Sequence, residues 1–136
     1  MNVKANTQSV LRLILITSIV STTIHFTDNY RFIEKYPQPI WVTASSIYQS
    51  WTILTIVGIV GYWLYKSRKF WLAYLCLGAY SLTGLASPGH YLYGSLSQFS
   101  VKMHLFIWTD AITGLAVLGF VLWSLLFLKE WQMTDS

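Results

Sequence analysis

Three histidines and two aspartates are the residues of this chain best suited to chemistry. His25 and Asp28 lie three positions apart, a spacing that places both side chains on one face of a helix. His90 and His104 lie near other helix ends, and Asp110 follows His104 by six residues. Imidazole and carboxylate groups together form the usual ligand set of a transition metal. We therefore predict a metal site with His25, Asp28, His90 and His104 as ligands. This site could also be catalytic.

The ligand types fit zinc, iron, copper or manganese equally well. Asp110 is the candidate catalytic carboxylate, and it could also serve as a further ligand or orient His104. No local metal motif such as HExxH or CxxC occurs in the chain, so convergence of these residues depends on how the helices pack. Two axial histidines could instead hold a b-type haem. A bare metal ion is favoured over haem because His90 lies beyond the end of its helix.

Two other classes of function stay open. The chain could bind a lipid or another apolar small molecule, or act on it as a metal-free acid/base enzyme, with Asp110 or Asp28 as the acid group. Trp41, Trp51 and Trp108 would then be walls of the pocket. In the third class the protein is a structural or accessory membrane subunit, whose polar residues only join helices.

The composition indicates an integral membrane protein. Of the 136 residues 54% are hydrophobic and only 10% charged, against about 25% charged in a soluble domain. The basic residues are scattered rather than gathered on one face, so a nucleic-acid partner is not expected. The single cysteine, Cys76, lies in an apolar run and excludes an intramolecular disulfide.

The apolar runs predict an all-α fold, a single domain over residues 1–136 with four transmembrane helices. The spans are expected at about residues 10–28, 40–65, 70–87 and 101–128. The short basic connection at residues 66–69 requires the third helix to pack antiparallel to the second. The prediction is an antiparallel four-helix bundle, either as a monomer or as a homo-oligomer.

Basic residues predict the orientation. One end of the bundle would hold Lys4, Arg12, Lys66, Arg68, Lys69 and Lys129, and the other end only Arg31, Lys35 and Lys102. Positive residues favour the cytoplasmic side, so both termini are expected in the cytoplasm. The short loops and the absence of a targeting signature favour a bacterial inner membrane.

A second polar layer is expected deeper in the bundle. Asp110 should lie about 9 Å further in than His104, from the rise of six helical residues. Gly84 and Gly114 would let the third and fourth helices approach closely there. The other residues predicted at this pocket, as second-shell or lining groups, are Gln49, Tyr80, Ser81 and Trp108.

In outline the chain resembles the small four-helix membrane families that bind sterols or quinone-like lipids. The likeness lies in the span count, the His25/Asp28 pair late in the first helix and a polar pocket open to one side. It includes no shared motif, so it implies no roles for individual residues. It implies that the pocket could bind an apolar small molecule.

Overall fold

The computed structural model describes residues 3–134, with side chains described for residues 6–132. Over this range the chain is helical and contains no β-strand. The four main helices are α1 (Val3–Arg31), α2 (Ala44–Lys66), α3 (Phe70–Leu85) and α4 (Val101–Trp123). Helix α4 continues into a π-helical turn at Ser124–Leu128, and short 3₁₀ turns occupy Ser87–Leu92, Leu96–Gln98 and Glu130–Thr134.

The all-α class is confirmed, with four main helices in chain order, and two helix starts differ from the predicted spans. Helix α1 begins well before residue 10. Helix α2 begins at Ala44 rather than near residue 40, because Thr43 and Ser46 form a reciprocal capping box that fixes its first turn.

Three helical segments are long and apolar enough to cross a membrane: Asn6–Arg31, Ala44–Lys66 and Val101–Leu128. Helix α3 is apolar but has only 16 residues. The outward faces carry large exposed apolar side chains, among them Leu13, Ile53, Leu75 and Ile112. These features are compatible with an integral membrane protein, and the membrane side of the termini stays a prediction.

Contacts between the helices give their relative directions. The ring of Tyr80 on α3 lies against Gly58 on α2, whereas Leu77, earlier on α3, lies against the later Gly61. Near the end of α1, Asp28 contacts Lys102, which is close to the start of α4. Helices α2 and α3 therefore run in opposite directions, and so do α1 and α4.

Helices α3 and α4 cross at two glycines. A Cβ atom added to Gly84 would lie 2.2 Å from the carbonyl oxygen of Asp110, and one added to Gly114 would lie 2.8 Å from that of Ser81. The predicted close approach at these glycines is confirmed. It places the backbone of α3 directly against the residue that carries the buried carboxylate.

The two halves of the bundle have different interiors. Toward the start of α1 the core is apolar and aromatic, and its members include Leu11, Leu15, Tyr65, Phe70, Leu77, Val117 and Phe120. Glu130 closes this half, where it accepts hydrogen bonds from the hydroxyls of Thr7, Tyr65 and Ser124. Toward the end of α1 the buried side chains are mostly polar, and the candidate site lies there.

Candidate functional site

The centre of the polar half is a buried pair formed by His25 on α1 and Asp110 on α4. The Nδ1 atom of His25 lies 2.8 Å from Oδ2 of Asp110, and the two residues are 2% and 0% exposed. Ser87 donates a hydrogen bond to the same carboxylate oxygen at 2.9 Å, and Ser21 donates to Oδ1 at 2.9 Å. Asp110 thus finds three donors inside the bundle, which a buried carboxylate requires.

The contact with Asp110 fixes the tautomer that a neutral His25 ring adopts. A carboxylate accepts hydrogen bonds, so the proton of neutral His25 belongs on Nδ1 and leaves a lone pair on Nε2. This Nε2 atom is buried and has no hydrogen-bond partner within residues 6–132. The two ring nitrogens point in divergent directions, so the bond to Asp110 turns Nε2 away from α4.

His25 lines a pocket of about 440 Å³ at this end of the bundle. The wall is formed by α1, by the first turns of α2, by the end of α3 and the following turn, and by the loop before α2. Among the described residues that line it are Asn29, Gln38, Trp41, Ser87, His90 and Tyr93. The pocket therefore brings a buried base next to a space large enough for a small molecule.

His90 is the second histidine of the pocket. Its ring lies 5.5 Å from that of His25, centroid to centroid. The Nδ1 atom lies 2.9 Å from the carbonyl oxygen of Pro37, so Nδ1 carries the proton and donates it. The amide nitrogen of Asn29 lies 3.4 Å from Nε2. Burial lowers the pKa of His90, which favours the neutral ring.

Asp28 is close to the pocket and contacts Tyr36 and Lys102. Its Oδ2 accepts a hydrogen bond from the Tyr36 hydroxyl at 2.7 Å, and its Oδ1 lies 2.5 Å from the Lys102 ammonium. Burial and the Asp28 carboxylate raise the pKa of Tyr36, which therefore remains a neutral donor. The ring of Tyr36 packs against His25 and His90. Asp28 thus fixes the loop that covers the pocket.

His104 lies apart from the other two histidines. Its Nδ1 is 2.8 Å from the Tyr91 hydroxyl, and its ring stacks on Tyr91. Asp110 contacts His25 instead of His104, so the expected pairing of Asp110 with His104 is not found. Trp108, one turn further along α4, is exposed beside Tyr91 and does not line the His25 pocket.

The remaining predicted residues divide between the interior and the surface. Tyr80 is buried and donates a hydrogen bond to Ser18 at 3.1 Å, and Ser81 is buried against α4. Gln49 is exposed and bonds to Ser45, because the buried face of α2 passes through Ile47 and leaves position 49 on the opposite side. Gln49 is therefore excluded from the pocket.

The four predicted metal ligands do not all converge. The structure brings His25 and His90 together, places Asp28 in an ion pair and leaves His104 with Tyr91. Within the part of the chain whose side chains are described, no group of three His, Cys, Asp or Glu residues is arranged to hold a metal ion. The metal prediction stays untested.

Sequence reasoning missed three groups of this site. Ser87 could have been found from its spacing, since it lies three residues before His90 and just before the Pro88-Gly89 stop. Tyr36 and Pro37 lie in a loop, where no periodic pattern indicates which groups face inward.

Comparison of the chain with protein-family models, with curated proteins and with solved structures finds no match.

Proposed function

We propose that the protein binds an apolar small molecule from the membrane and transfers a proton to or from it through His25. The observation that carries this proposal is the difference in surroundings between the two ring nitrogens of His25. Its Nδ1 is held by Asp110 at 2.8 Å, its Nε2 is buried without a partner in residues 6–132, and the residue lines the pocket. A base held in one tautomer by a carboxylate is the arrangement used in general acid–base catalysis.

Each residue has a defined part in this mechanism. Nε2 of His25 removes a proton from the bound molecule, and the ring becomes an imidazolium. Asp110 stabilises that positive charge, and Ser21 and Ser87 hold the carboxylate in place. The same Nε2 then returns the proton to another atom of the molecule. The net reaction is an isomerisation, in which no group is lost and no oxidant is needed.

Deuterium exchange tests the proposal without a known substrate. The full chain in detergent is incubated in D₂O with a total lipid extract of bacterial membranes, and the lipids are analysed by mass spectrometry for deuterium on carbon. A proton-transfer enzyme labels at least one lipid. We expect His25→Gln and Asp110→Asn to lower this rate by about 100-fold or more, the usual contribution of a positioned base.

His104→Gln is the matched control, because it makes the same chemical change in a histidine outside the pocket. It should leave the rate within about two-fold of the wild type, since a surface change rarely affects a remote site. Labelling that survives in His25→Gln, or no labelling by the wild type, refutes proton transfer by this residue.

A two-histidine metal site is a second candidate, supported by a separate observation. Both pocket histidines have their Nδ1 held by an oxygen acceptor, from Asp110 and from the Pro37 carbonyl, so that in the neutral rings each Nε2 carries a lone pair. Metal-binding imidazoles are usually oriented in this way. A metal would displace the Asn29 amide nitrogen, which lies 3.4 Å from Nε2 of His90. Asn29 or the bound molecule would complete the coordination. Zinc, iron, copper and manganese remain the candidate metals.

Metal content measured by mass spectrometry tests this candidate. The wild type, grown with added metals, should carry near-stoichiometric metal that is lost in His25→Ala and in His90→Ala. The His104→Ala variant should keep its metal, because His104 is bonded to Tyr91 instead. Equal metal contents in the four proteins refute the site. Deuterium exchange that persists after chelation favours the metal-free mechanism.

A further inference from the structure

A second concave surface, the α1–α2 cleft, lies between the end of α1 and the second turn of α2. It has a volume of about 410 Å³ and is lined by Phe26, Thr27, Tyr30, Arg31, Tyr48 and Trp51. Of these, Phe26 also lines the His25 pocket. Tyr30 and Tyr48 are 49% and 60% exposed, and Arg31 is exposed beside them. The cleft is therefore open at the surface of the bundle.

The polar groups of the cleft can donate hydrogen bonds. The Arg31 guanidinium and the hydroxyls of Tyr30 and Tyr48 have no ion pair or hydrogen bond within residues 6–132. A guanidinium is a donor only, and a phenol hydroxyl donates readily. No Asp or Glu is among the described residues that line the cleft. This set of groups suits an anion with several acceptor oxygens.

The charge around the cleft favours the same kind of ligand. The charged residues near this end of α1 are Arg31, Lys35 and Lys102 against Asp28 and Glu34. Lys102 pairs with Asp28, and Lys35 lies over the ring of a neighbouring phenylalanine. Of the three basic residues, Arg31 lines the cleft. The carbonyl end of α1 is itself partly negative, so binding of an anion there depends on Arg31.

The length of α1 places this cleft among lipid head groups. The apolar span Asn6–Arg31 has 26 residues, which rise about 39 Å. A span of that length centred in a bilayer extends about 4–5 Å beyond the hydrocarbon at each end, so Arg31 lies at head-group depth. Thr27, Ile24 and Val20 follow it inward on the same face. Ile24 and Val20 are exposed, and they provide an apolar surface for a lipid chain.

We propose that the α1–α2 cleft binds an anionic phospholipid. Its phosphate accepts hydrogen bonds from Arg31, Tyr30 and Tyr48, and one acyl chain lies along α1 beside Ile24 and Val20. A phosphodiester spreads its negative charge over two oxygens, which offer lone pairs for all three groups. A zwitterionic lipid carries the same phosphate but brings an ammonium group close to Arg31. The lipid is bound here without being converted, so this site does not depend on proton transfer by His25.

Lipids with identical tails and different heads test the class of ligand. Dioleoylphosphatidylglycerol, dioleoylphosphatidylethanolamine and dioleoylglycerol are titrated separately against the full chain in an uncharged detergent, and apparent Kd values follow from the rise in Tm. Phosphatidylglycerol should bind about five-fold more tightly than phosphatidylethanolamine, the usual contribution of one basic residue at an anionic membrane surface. Dioleoylglycerol, which lacks the phosphate, should bind more weakly than either. Glycerol 3-phosphate, which lacks the tails, should not raise Tm at the same concentrations.

Variants of Arg31 locate the phosphate. Arg31→Gln should reduce the preference for phosphatidylglycerol over phosphatidylethanolamine to less than about two-fold, whereas Arg31→Lys keeps the charge and should retain most of it. Lys35→Gln is the matched control, because it removes the same charge from the same end of the bundle outside the cleft, and it should keep the preference. The Tm of each variant without lipid separates a loss of stability from a loss of binding.

The site is wrong if the two phospholipids bind equally well to the wild type, or if Arg31→Gln keeps the full preference. An equal loss of preference in Arg31→Gln and Lys35→Gln would show that the net charge of this end, and not the cleft, selects the lipid. Glycerol 3-phosphate that binds as tightly as phosphatidylglycerol would exclude a lipid as the specific ligand. All of these outcomes leave the deuterium exchange through His25 unaffected, so the two proposals fail separately.

Discussion

Replacing Gly84 by alanine tests whether the α3–α4 crossing holds the site together. The new Cβ would lie 2.2 Å from the carbonyl oxygen of Asp110, and ordinary contact begins near 3.4 Å, so the helices must separate by roughly 1.2 Å. Overpacking of this kind costs about 1–3 kcal/mol. The higher helix propensity of alanine offsets at most about 1 kcal/mol of this cost. We expect a net loss of about 1–2 kcal/mol in the free energy of unfolding.

Gly78→Ala is the control on the same helix, because a Cβ at Gly78 meets nothing within 4 Å. It should leave stability unchanged or raise it by up to about 1 kcal/mol. Unfolding of both variants is followed by tryptophan fluorescence during titration with SDS in mixed micelles. A Gly84→Ala variant as stable as Gly78→Ala would contradict the close crossing, because α3 and α4 would then accommodate a methyl group for which the structure has no room.

Two further predictions concern the ends of the bundle. Lys102→Met removes the cation that pairs with the Asp28 carboxylate. It should lower the free energy of unfolding by about 1 kcal/mol, near the upper limit for a partly exposed ion pair. Lys66→Met, an exposed lysine at the other end, should change it by less than about 0.5 kcal/mol in the same SDS titration. Tyr65→Phe removes a donor to the buried Glu130 carboxylate and should cost about 1–3 kcal/mol. Tyr62→Phe, one turn earlier, should lower the free energy of unfolding by less than half as much. Equal losses in the two variants would refute a stabilising role for the hydrogen bond from Tyr65 to Glu130.

The helices could be predicted from the sequence because their apolar runs are long and their ends are marked. The connection at Lys66 to Lys69 is too short for anything but an antiparallel neighbour. Gly84 and Gly114 indicated a close crossing because small residues let the backbones of apolar helices approach one another. The local residue pattern and the lengths of the apolar runs were sufficient to predict the helices and this crossing.

The partners of the histidines could not be predicted in the same way. A sequence places His25, His90 and His104 at one end of a bundle, but the rotation of each helix about its axis decides which rings meet. The 3₁₀ turn after α3 carries His90 inward toward His25. The phase of α4 points Asp110 at α1, and His104 lies elsewhere on the helix, against Tyr91. Ligand convergence is therefore a property of packing that residue types and spacing do not determine.

The 16 residues of α3 have a consequence for the bilayer around it. A helix of that length rises about 24 Å, roughly 6 Å less than the hydrocarbon thickness of a typical membrane. If α3 crosses a bilayer beside its longer neighbours, the mismatch would be met by thinning of the bilayer on that flank or by flanking side chains that reach out to the interface, at a cost that is smallest in thin membranes. The turn that carries Ser87 and His90 begins where α3 ends. In a bilayer thinned in this way, lipid head groups and water would lie nearer the level of the pocket, and the polar head of a molecule approaching His25 would cross less hydrocarbon.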